Sequence, residues 1–520
     1  MGGTLTTGIR HFWVALLALA LSACVTARPP INDPLTAQAG GKPAPQVDYR
    51  LGALKGDNSD ELLILVSISG GGKRSSAFSY GVLKALNDAR FDIGGRNRSL
   101  LEEVDLISGV SGGTFTASYY TLHREAMFVP KERGCGFERD FLFTDYDADI
   151  MGMYLAPWNW GWMMSGESGT NDNMARLYAE RLFQPDCNAP RADRPNGALY
   201  SDLYAKGAPM LMVGATDVAK GTFFTFSQDQ FDLLCSDMST FPVAWAVAAS
   251  NGFPGLFSPV TLKSYRAETN CDVTPPWLRD QTAQSQVAAA HYEARALLAE
   301  LAREYMDPKR TQYAHLVDGG VSDNLALRGL TNWSIAHRTP EYLDQLVGTR
   351  KILLISIDGQ AAKDPHLALS PEGPGALPVL GAVLNTTIDR YNVETMQVAL
   401  SEIARLADNI RTARCMSLDI DCAKDKVFQS QRPEVYFSHL NLADDPNQTR
   451  REKLQSISTS LGLLEGHIAD TIESGFDAAA CLQSTGVQAQ RNEGAYPGIT
   501  DFVRSMPKAT MPKCQPVESK

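Results

Sequence analysis

Short apolar runs separated by amphipathic stretches constrain the fold of this chain more than any other feature of its sequence. Within each run, apolar residues occupy successive positions, as in strands that are buried on both faces. The predicted strands are Leu62–Ile68, Val104–Ser108, Pro209–Ala215, His315–Val317 and Ile352–Ile357. Helical stretches, notably Tyr80–Ala89 and Thr114–Leu122, lie between them. This alternation predicts an α/β domain in which helices cover a mostly parallel sheet on both faces, a three-layer α/β/α arrangement.

Further helical segments predict additions to this sheet. Gln281–Met306 and Asn392–Ala413 are rich in residues that favour helices, and a last helix is predicted over Arg451–Ala480. The long span that contains the first of these segments is expected to cover or flank a cleft. We therefore expect one domain over residues 61–445 with a helical insertion, and a C-terminal helix and tail over 446–520 that pack on the same domain.

The N-terminal residues predict export and a lipid anchor. Arg10 precedes an apolar run over residues 12–21, and this run is too short for a membrane span, which needs roughly 20 residues. The next residues, Leu21-Ser22-Ala23-Cys24, resemble the bacterial lipobox, in which the cysteine thiol is acylated before cleavage. Residues 1–23 are thus predicted to be a signal peptide and Cys24 to be lipidated. The alternative is an ordinary signal peptide in which Cys24 is incidental.

Residues 24–60 are predicted to form a tether between the anchor and the domain. Five prolines and several glycines fall in this stretch, and bulky apolar residues are few. Val25 replaces the aspartate that, in enterobacterial sorting, retains a lipoprotein at the inner membrane. By that resemblance we expect the mature protein in the cell envelope, attached to the outer membrane and facing the periplasm or the cell surface.

The charge of the chain limits the classes of partner it can bind, and its cysteine content indicates whether it forms disulfides. The 59 acidic residues outnumber the 48 basic ones, which argues against a nucleic-acid partner and restricts any membrane contact to an apolar, covalent or local one. Without Cys24, eight cysteines remain, and an even number in an exported chain predicts disulfides. Proximity favours Cys415–Cys422 and Cys481–Cys514. No cysteine or histidine cluster has the spacing of zinc ligands, so no structural metal is expected.

The first motif with chemical meaning is Gly109-Val110-Ser111-Gly112-Gly113, between a predicted strand and a predicted helix. This is a Gly-x-Ser-x-Gly elbow, in which small residues allow a sharp turn that exposes the serine hydroxyl at a helix N-terminus. Gly109 and Gly113 would permit the turn. Ser111 is therefore the candidate nucleophile.

The second motif is Ser69-Gly70-Gly71-Gly72-Lys73-Arg74, directly after the first strand. A phosphate-binding loop would need Gly-x-x-x-x-Gly-Lys-[Ser/Thr], and this stretch lacks both the first glycine and the final hydroxyl. Consecutive glycines can also turn several N–H groups toward one point, as in an oxyanion hole. A purely structural turn is the remaining alternative.

The third motif is Asp318-Gly319-Gly320, at the end of a predicted strand, where α/β sheets build their sites. In this order the three motifs resemble the patatin-like phospholipase family, whose pattern is Asp-Gly-Gly-Gly-x-Arg-Gly, Gly-x-Ser-x-Gly and Asp-Gly-[Gly/Ala]. The resemblance covers about Leu62 to Leu330. It extends to three further stretches, Tyr80-Gly81-Val82-Leu83-Lys84-Ala85-Leu86, Gly214-Ala215-Thr216-Asp217 and Ala249-Ser250-Asn251-Gly252-Phe253-Pro254-Gly255-Leu256-Phe257.

The resemblance implies a lipid acyl hydrolase, of phospholipase A or lysophospholipase type, with a catalytic dyad. Asp318 would accept the proton of Ser111, and an acyl-enzyme would form and be hydrolysed. The expected oxyanion loop consists of Gly70, Gly71 and Gly72, with Arg74 fixing the loop or adding positive potential. The implied substrate is a phospholipid or another acyl-ester lipid, and no metal or organic cofactor is implied. Ser69 and Ser75 depart from the family pattern, which has Asp and Gly there.

Two other functions stay open on the sequence alone. An α/β-hydrolase with a Ser-Asp-His triad also uses Gly-x-Ser-x-Gly, and its histidine would follow the acid, with His439 as the candidate. A catalytically inactive envelope lipoprotein that binds lipid or a protein partner is the third possibility. An aromatic and methionine cluster suits either an acyl-chain groove or packing beneath a loop. Its members are Trp158, Trp160, Trp162, Met163 and Met164.

Overall fold

The computed structural model describes most of the 520-residue chain. The described residues are 31–37, 42–54, 56–130, 136–155, 169–186, 194–207, 209–254, 256–269, 271–279, 294–337, 340–360, 376–418, 431–455, 457, 460–481 and 496–514. The predicted signal peptide, Cys24, the Trp158–Met164 cluster and residues 281–293 of the helical insertion lie outside them. Within these ranges, no helix combines the length and the apolar character that crossing a membrane requires.

A mixed eight-stranded sheet forms the centre of the domain. Its strands are β1 (Leu62–Ile68), β2 (Leu106–Val110), β3 (Met210–Asp217), β4 (Thr222–Phe226), β5 (Val260–Lys263), β6 (Tyr313–Asp318), β7 (Lys351–Asp358) and β8 (Glu434–Asn441). The spatial order is β5-β6-β3-β2-β1-β7-β8, and β4 pairs with β3 as well. The run from β3 to β8 is parallel, whereas β4, β5 and β6 join antiparallel.

Helices flank this sheet, so the predicted three-layer α/β/α class is confirmed. Those of six residues or more are α1 (Gly72–Asp88), α2 (Gly112–His123), α3 (Tyr146–Leu155), α4 (Thr170–Arg181), α5 (Tyr200–Lys206), α6 (Gln228–Leu233), α7 (Val243–Ser250), α8 (Ala294–Met306), α9 (Arg328–Ala336), α10 (Pro340–Leu346), α11 (Ala376–Ser417), α12 (Gln448–Gln455), α13 (Glu465–Ala480) and α14 (Ile499–Arg504). Every residue of β1, β2 and β3 is buried, as their apolar sequences predict.

Helix α1 is fixed against α13 by two glycines. A Cβ at Gly81 would overlap the carbonyl oxygen of Ile472, and a Cβ at Gly475 would overlap that of Phe78. The two helix backbones therefore approach more closely than larger residues would allow. This contact holds the helix whose first turn carries the glycine loop.

The single helix predicted over Arg451–Ala480 is wrong, because the chain forms α12 and α13 with a break between them. In the break, the carbonyl of Ile457 accepts a hydrogen bond from the Arg74 guanidinium. The carbonyl of Ser460 accepts one from the Lys73 N–H at 2.8 Å. These carbonyls bond to the start of α1 instead of to N–H groups one helical turn further on.

Residues 24–60 were expected to form a tether, and from Ile31 onward the described part of this stretch packs on the domain instead. Asn32 is 1% exposed, and its side chain donates to the Lys263 carbonyl at 2.9 Å and accepts from the Lys263 N–H at 2.8 Å. Tyr49 is fully buried, and its hydroxyl accepts the Leu211 N–H at 2.8 Å. These buried polar contacts bind the segment in place, so the tether prediction fails for it.

Two disulfides lie in the described part of the chain. The Cys481–Cys514 bond confirms one predicted pairing. A Cys235–Cys271 bond, which the sequence did not single out, links the end of α6 to the segment after β5. The predicted partner of Cys415, Cys422, lies outside the described residues, so that pairing stays a prediction.

Candidate active site

Ser111 occupies a sharp turn between β2 and α2. Its backbone angles are φ 47° and ψ −129°, a region that L-residues other than glycine rarely adopt and that costs on the order of 1–3 kcal/mol. A Cβ at Gly113 would lie 2.5 Å from the Ile68 carbonyl oxygen, and one at Gly109 would lie 3.0 Å from the Gly113 carbonyl oxygen. The small residues on both sides are thus required by space, as expected for a strand-to-helix elbow.

Asp318 reaches Ser111 through the register of β6. On one edge of β3, Gly214 pairs with Val110, the last residue of β2. The next residue of β3, Ala215, pairs with Asp318, the last residue of β6. Strand β2 pairs with residues 210–214 of β3, and β6 pairs with residues 215–217, which β2 leaves unpaired on that edge. Because β6 runs antiparallel to β3, the C-terminus of β6 meets the C-terminus of β2. The aspartate therefore lies at the elbow.

The hydroxyl of Ser111 donates a hydrogen bond to Asp318 Oδ2 at 2.9 Å. Asp318 is 8% exposed and Ser111 is half-buried. Burial raises the pKa of Asp318 from 3.8 to about 6, although hydrogen bonds from the Gly320 N–H and from Ser111 oppose this shift. A carboxylate with such a pKa is ionised near neutral pH and can still accept a proton, which suits a general base.

The turn after β6 fixes the aspartate. The Gly320 N–H donates to Asp318 Oδ1 at 2.8 Å, which leaves Oδ2 for the serine. The Thr216 hydroxyl donates to the Asp318 carbonyl at 2.8 Å. A Cβ at Gly319 would overlap the Gly214 carbonyl oxygen, so only glycine lets the turn lie against β3. Both oxygens of the carboxylate are thus held in a defined direction.

The glycine loop lies beside the serine but offers fewer donors than expected. The Gly70 N–H donates to the Asn324 carbonyl at 2.9 Å, so the prediction that Gly70 supplies an oxyanion donor is wrong. Gly71 and Gly72 have φ of 132° and 60°, conformations that favour glycine. In the described part of the chain, neither of their N–H groups donates a hydrogen bond. A Cβ at Gly70 would lie 3.2 Å from Ser111 Cβ, which places the loop next to Ser111.

Arg74 holds the loop from inside the protein. Its side chain is 2% exposed, and its Nε donates to the Gly359 carbonyl at 2.8 Å while Nη1 donates to the Ile457 carbonyl. Of the two roles considered from the sequence, this geometry favours fixing the loop over lending charge to an oxyanion. The two departures from the family pattern also act on the loop. The Ser69 hydroxyl accepts the Gly359 N–H at 2.9 Å, and the Ser75 hydroxyl donates to the Ser69 carbonyl at 2.6 Å.

The histidine of the alternative triad is remote from this site. His439 lies on β8, three strand spacings or roughly 14 Å from β2 across the sheet. Its Nδ1 is 3.2 Å from the Ser356 hydroxyl. Among the described histidines, none is hydrogen-bonded to Ser111 or Asp318. The geometry therefore places an aspartate, and not a histidine, beside Ser111.

Residues without a predicted role complete the elbow. The Ser250 hydroxyl accepts the Ser111 N–H at 2.9 Å, and the Asn251 amide donates to the Thr114 hydroxyl at 2.9 Å. Thr216 and Asn324 hold the aspartate and the glycine loop, respectively. Three of these residues were visible in stretches that resemble the family, namely Thr216, Ser250 and Asn251, but nothing in those stretches indicated what they contact. Asn324 gave no signal.

The fold and the site define an α/β protein with a serine–aspartate pair where the end of the parallel strand β2 meets the end of the antiparallel strand β6. The chain belongs to the patatin-like phospholipase family, whose model matches residues 66–331, just over half of the sequence. This match confirms the resemblance inferred from the three motifs. A search of curated proteins finds no match.

Two solved structures are similar to this chain over most of its length. Human GIVD cytosolic phospholipase A2 is 12% identical with a TM-score of 0.34, and the alignment covers 85% of this chain and 64% of that one. VipD from Legionella pneumophila is 14% identical with a TM-score of 0.29, and the alignment covers 88% of this chain and 70% of that one. The chain thus spans about two thirds of their lengths. At these TM-scores the two structures add nothing to the family assignment.

Proposed function

We propose that this protein is a lipid acyl hydrolase of phospholipase A or lysophospholipase type, with Ser111 as nucleophile and Asp318 as base. One observation carries the proposal: a serine on a strained elbow donates a 2.9 Å hydrogen bond to a buried carboxylate. A nucleophile and a base within hydrogen-bond reach, with the base oriented by a third group, are the features that nucleophilic catalysis requires. Here the third group is the Gly320 N–H.

In the first half of the reaction, Asp318 Oδ2 takes the proton of Ser111 as Oγ bonds to the ester carbonyl carbon. The resulting oxyanion would be stabilised by the N–H groups of Gly71 and Gly72, which lie at the start of α1 and have no acceptor among the described residues. Collapse of the tetrahedral intermediate breaks the bond to the alcohol. The alcohol leaves with the proton from Asp318, and the acyl group stays on Ser111.

In the second half, a water molecule gives its proton to Asp318 as its oxygen attacks the acyl carbon. The second tetrahedral intermediate breaks the bond to Ser111, which recovers its proton from Asp318, and the fatty acid is released. Asp318 thus acts alternately as base and acid, and a pKa of about 6 suits both roles near neutral pH.

We further propose that the protein is an envelope lipoprotein anchored through Cys24 in the outer membrane. The lipobox-like Leu21-Ser22-Ala23-Cys24 supports this proposal. Because the chain is bound to the domain from Asn32 onward, the segment from Cys24 to that point could reach only roughly 30 Å. Cys24→Ser should move the protein from the membrane fraction to the soluble fraction. Metabolic labelling with palmitate tests the same claim, and a Cys24→Ser variant that still incorporates the label would refute it.

The activity is tested by incubating purified protein with vesicles of phosphatidylcholine, lysophosphatidylcholine and a neutral diacylglycerol, and measuring free fatty acid. The proposal expects release from at least one substrate, and its loss in Ser111→Ala and in Asp318→Ala. Ser401→Ala, which removes an exposed hydroxyl on α11, is the matched control and should keep full activity. Failure of the wild type to release fatty acid, or full activity of Ser111→Ala, would overturn the proposal.

A further inference from the structure

The backbone N–H of Ser111 depends on one side chain for its hydrogen bond. It donates to the hydroxyl of Ser250, the last residue of α7, at 2.9 Å. That hydroxyl in turn donates to the carbonyl of Gly214 on β3. Ser250 is fully buried, so water does not compete for either bond. The nucleophile is thus connected to β3 through a chain of two hydrogen bonds.

The carbonyl of Ser111 is held separately. It accepts the Thr114 N–H at 2.9 Å and the Thr114 hydroxyl at 2.6 Å. The Asn251 amide donates to that same hydroxyl at 2.9 Å. Two consecutive residues at the end of one helix, Ser250 and Asn251, therefore support the strained residue Ser111 on both sides, Ser250 at its N–H and Asn251, through Thr114, at its carbonyl.

The connection to β3 also concerns the base. Gly214, which receives the Ser250 hydroxyl, is followed by Ala215, the partner of Asp318 in the sheet. Ser250 thus joins the backbone of the nucleophile to the strand that sets the position of the carboxylate. Removal of the Ser250 hydroxyl would leave the Ser111 N–H without its acceptor. It would also remove one hydrogen bond to the Gly214 carbonyl. The elbow could then relax from its unusual φ, and the distance from Oγ to Oδ2 would change.

We infer that Ser250 is a positioning residue that keeps the Ser111 hydroxyl in line with Asp318. The inference rests on the proposed function. It assigns Ser250 no contact with the substrate and no share in proton transfer. Its loss should lower kcat and leave KM nearly unchanged, because the misplaced group is the nucleophile and not a binding surface.

The chain offers a matched control in Ser438 on β8. Its side chain is also fully buried, and its hydroxyl accepts a backbone N–H, that of Ile499, at the same distance of 2.9 Å. Ser250→Ala and Ser438→Ala therefore remove the same kind of hydrogen bond from equally buried positions. A purely structural role of Ser250 predicts similar effects of the two variants.

The experiment measures kcat and KM for p-nitrophenyl butyrate, normalised to folded protein, and the free energy of unfolding in urea. We expect Ser250→Ala to lower kcat about 10- to 100-fold, since small misplacements of reacting groups have effects of this order, with KM within about twofold. Ser438→Ala should lose stability and keep its kcat. A kcat of Ser250→Ala within about twofold of that of Ser438→Ala would overturn the inference.

A second variant keeps the test decisive if Ser250→Ala does not fold. Ser250→Cys nearly conserves volume and substitutes a weak acceptor for the hydroxyl, and it should show an intermediate kcat. Wild-type kcat in Ser250→Cys would then overturn the inference.

A wild type that neither hydrolyses the ester nor reacts with a fluorophosphonate at Ser111 would show that the proposed function itself fails. An active wild type with an equally active Ser250 variant would refute the positioning role alone.

Discussion

The parallel and antiparallel parts of the sheet contribute to the site in different ways. In the parallel part, β1 and β2 each end in a glycine-rich turn that leads directly into a helix, so the glycine loop and Ser111 are placed by local geometry. In the antiparallel part, β6 brings Asp318 from the opposite direction and depends on three residue pairs with β3. The position of Ser111 is thus set by a short segment, whereas the position of Asp318 depends on the register of two distant strands.

This difference separates two kinds of perturbation. Changes in the turns of the parallel part should displace Ser111 or the N–H groups of the glycine loop. Changes around β6 should displace Asp318 and leave the elbow intact.

Asp318→Asn should remove the carboxylate that acts as the proposed base and should keep the shape of the side chain. We expect activity to fall about 10²- to 10⁴-fold, the range that general acid–base catalysis contributes.

The stability of Asp318→Asn should rise at the same time. Burial raises the pKa of Asp318 from 3.8 to about 6, so ionisation is harder in the folded chain, and folding is progressively disfavoured as pH rises between these values. The neutral amide avoids this penalty, and urea unfolding at pH 7 should show a gain of about 1–3 kcal/mol. A less stable variant would contradict this account.

Gly112→Ala should damage the parallel part. A Cβ at Gly112 would overlap the backbone of Gly72, so the starts of α1 and α2 must separate. We expect a loss of about 1–3 kcal/mol in stability and of about 100-fold in ester hydrolysis. Gly152→Ala in α3, where a Cβ would meet nothing within 4 Å, is the control and should be neutral or slightly stabilising. Equal activity of the two variants would show that the close approach is unimportant.

Thr216→Val should affect the antiparallel part more gently. It removes the hydroxyl that donates to the Asp318 carbonyl and lies 2.8 Å from the Ser322 hydroxyl. We expect about 1–2 kcal/mol of destabilisation and a decrease of about 3- to 10-fold in kcat. Thr121→Val is the control, because it removes a buried hydroxyl that bonds only within α2. Similar kcat values for the two variants would argue against a link between Thr216 and the base.

His439→Ala should change the activity least. Its ring contacts Ser356 at the far end of the sheet from β6. We expect kcat and KM to stay within about twofold of the wild type. A loss of activity in a variant that still folds, as judged by its thermal melting, would revive the Ser-Asp-His alternative.

The parallel part was largely predictable from the sequence. The apolar run of β1 was predicted with its observed bounds, and β2 was displaced by two residues, from Val104–Ser108 to Leu106–Val110. The elbow follows from glycine spacing, because crowding between neighbouring backbones admits only small residues there. Steric constraints of this kind can thus be recognised from the spacing of small residues in the sequence.

The antiparallel part was predicted for an incomplete reason. Asp318 was placed at the site because it ends a predicted strand and matches the Asp-Gly-[Gly/Ala] motif of the family, yet β6 is antiparallel and reaches the site only through its register with β3. No local pattern encodes that register. The same limit applies to the Gly70 N–H, which the Asn324 carbonyl occupies, and to Ser250, whose partners lie far away in sequence.

The measurement that tests the Ser111–Asp318 pair most directly is the rate of labelling by a fluorophosphonate as a function of pH, with the adduct located by peptide mass spectrometry. The wild type should be labelled at Ser111, with a rate that rises with pH, reaches half its maximum at about 6, the pKa of Asp318, and then levels off. Asp318→Asn should label far more slowly and lose this pH dependence. Labelling at another residue, or an unchanged profile in Asp318→Asn, would contradict the account.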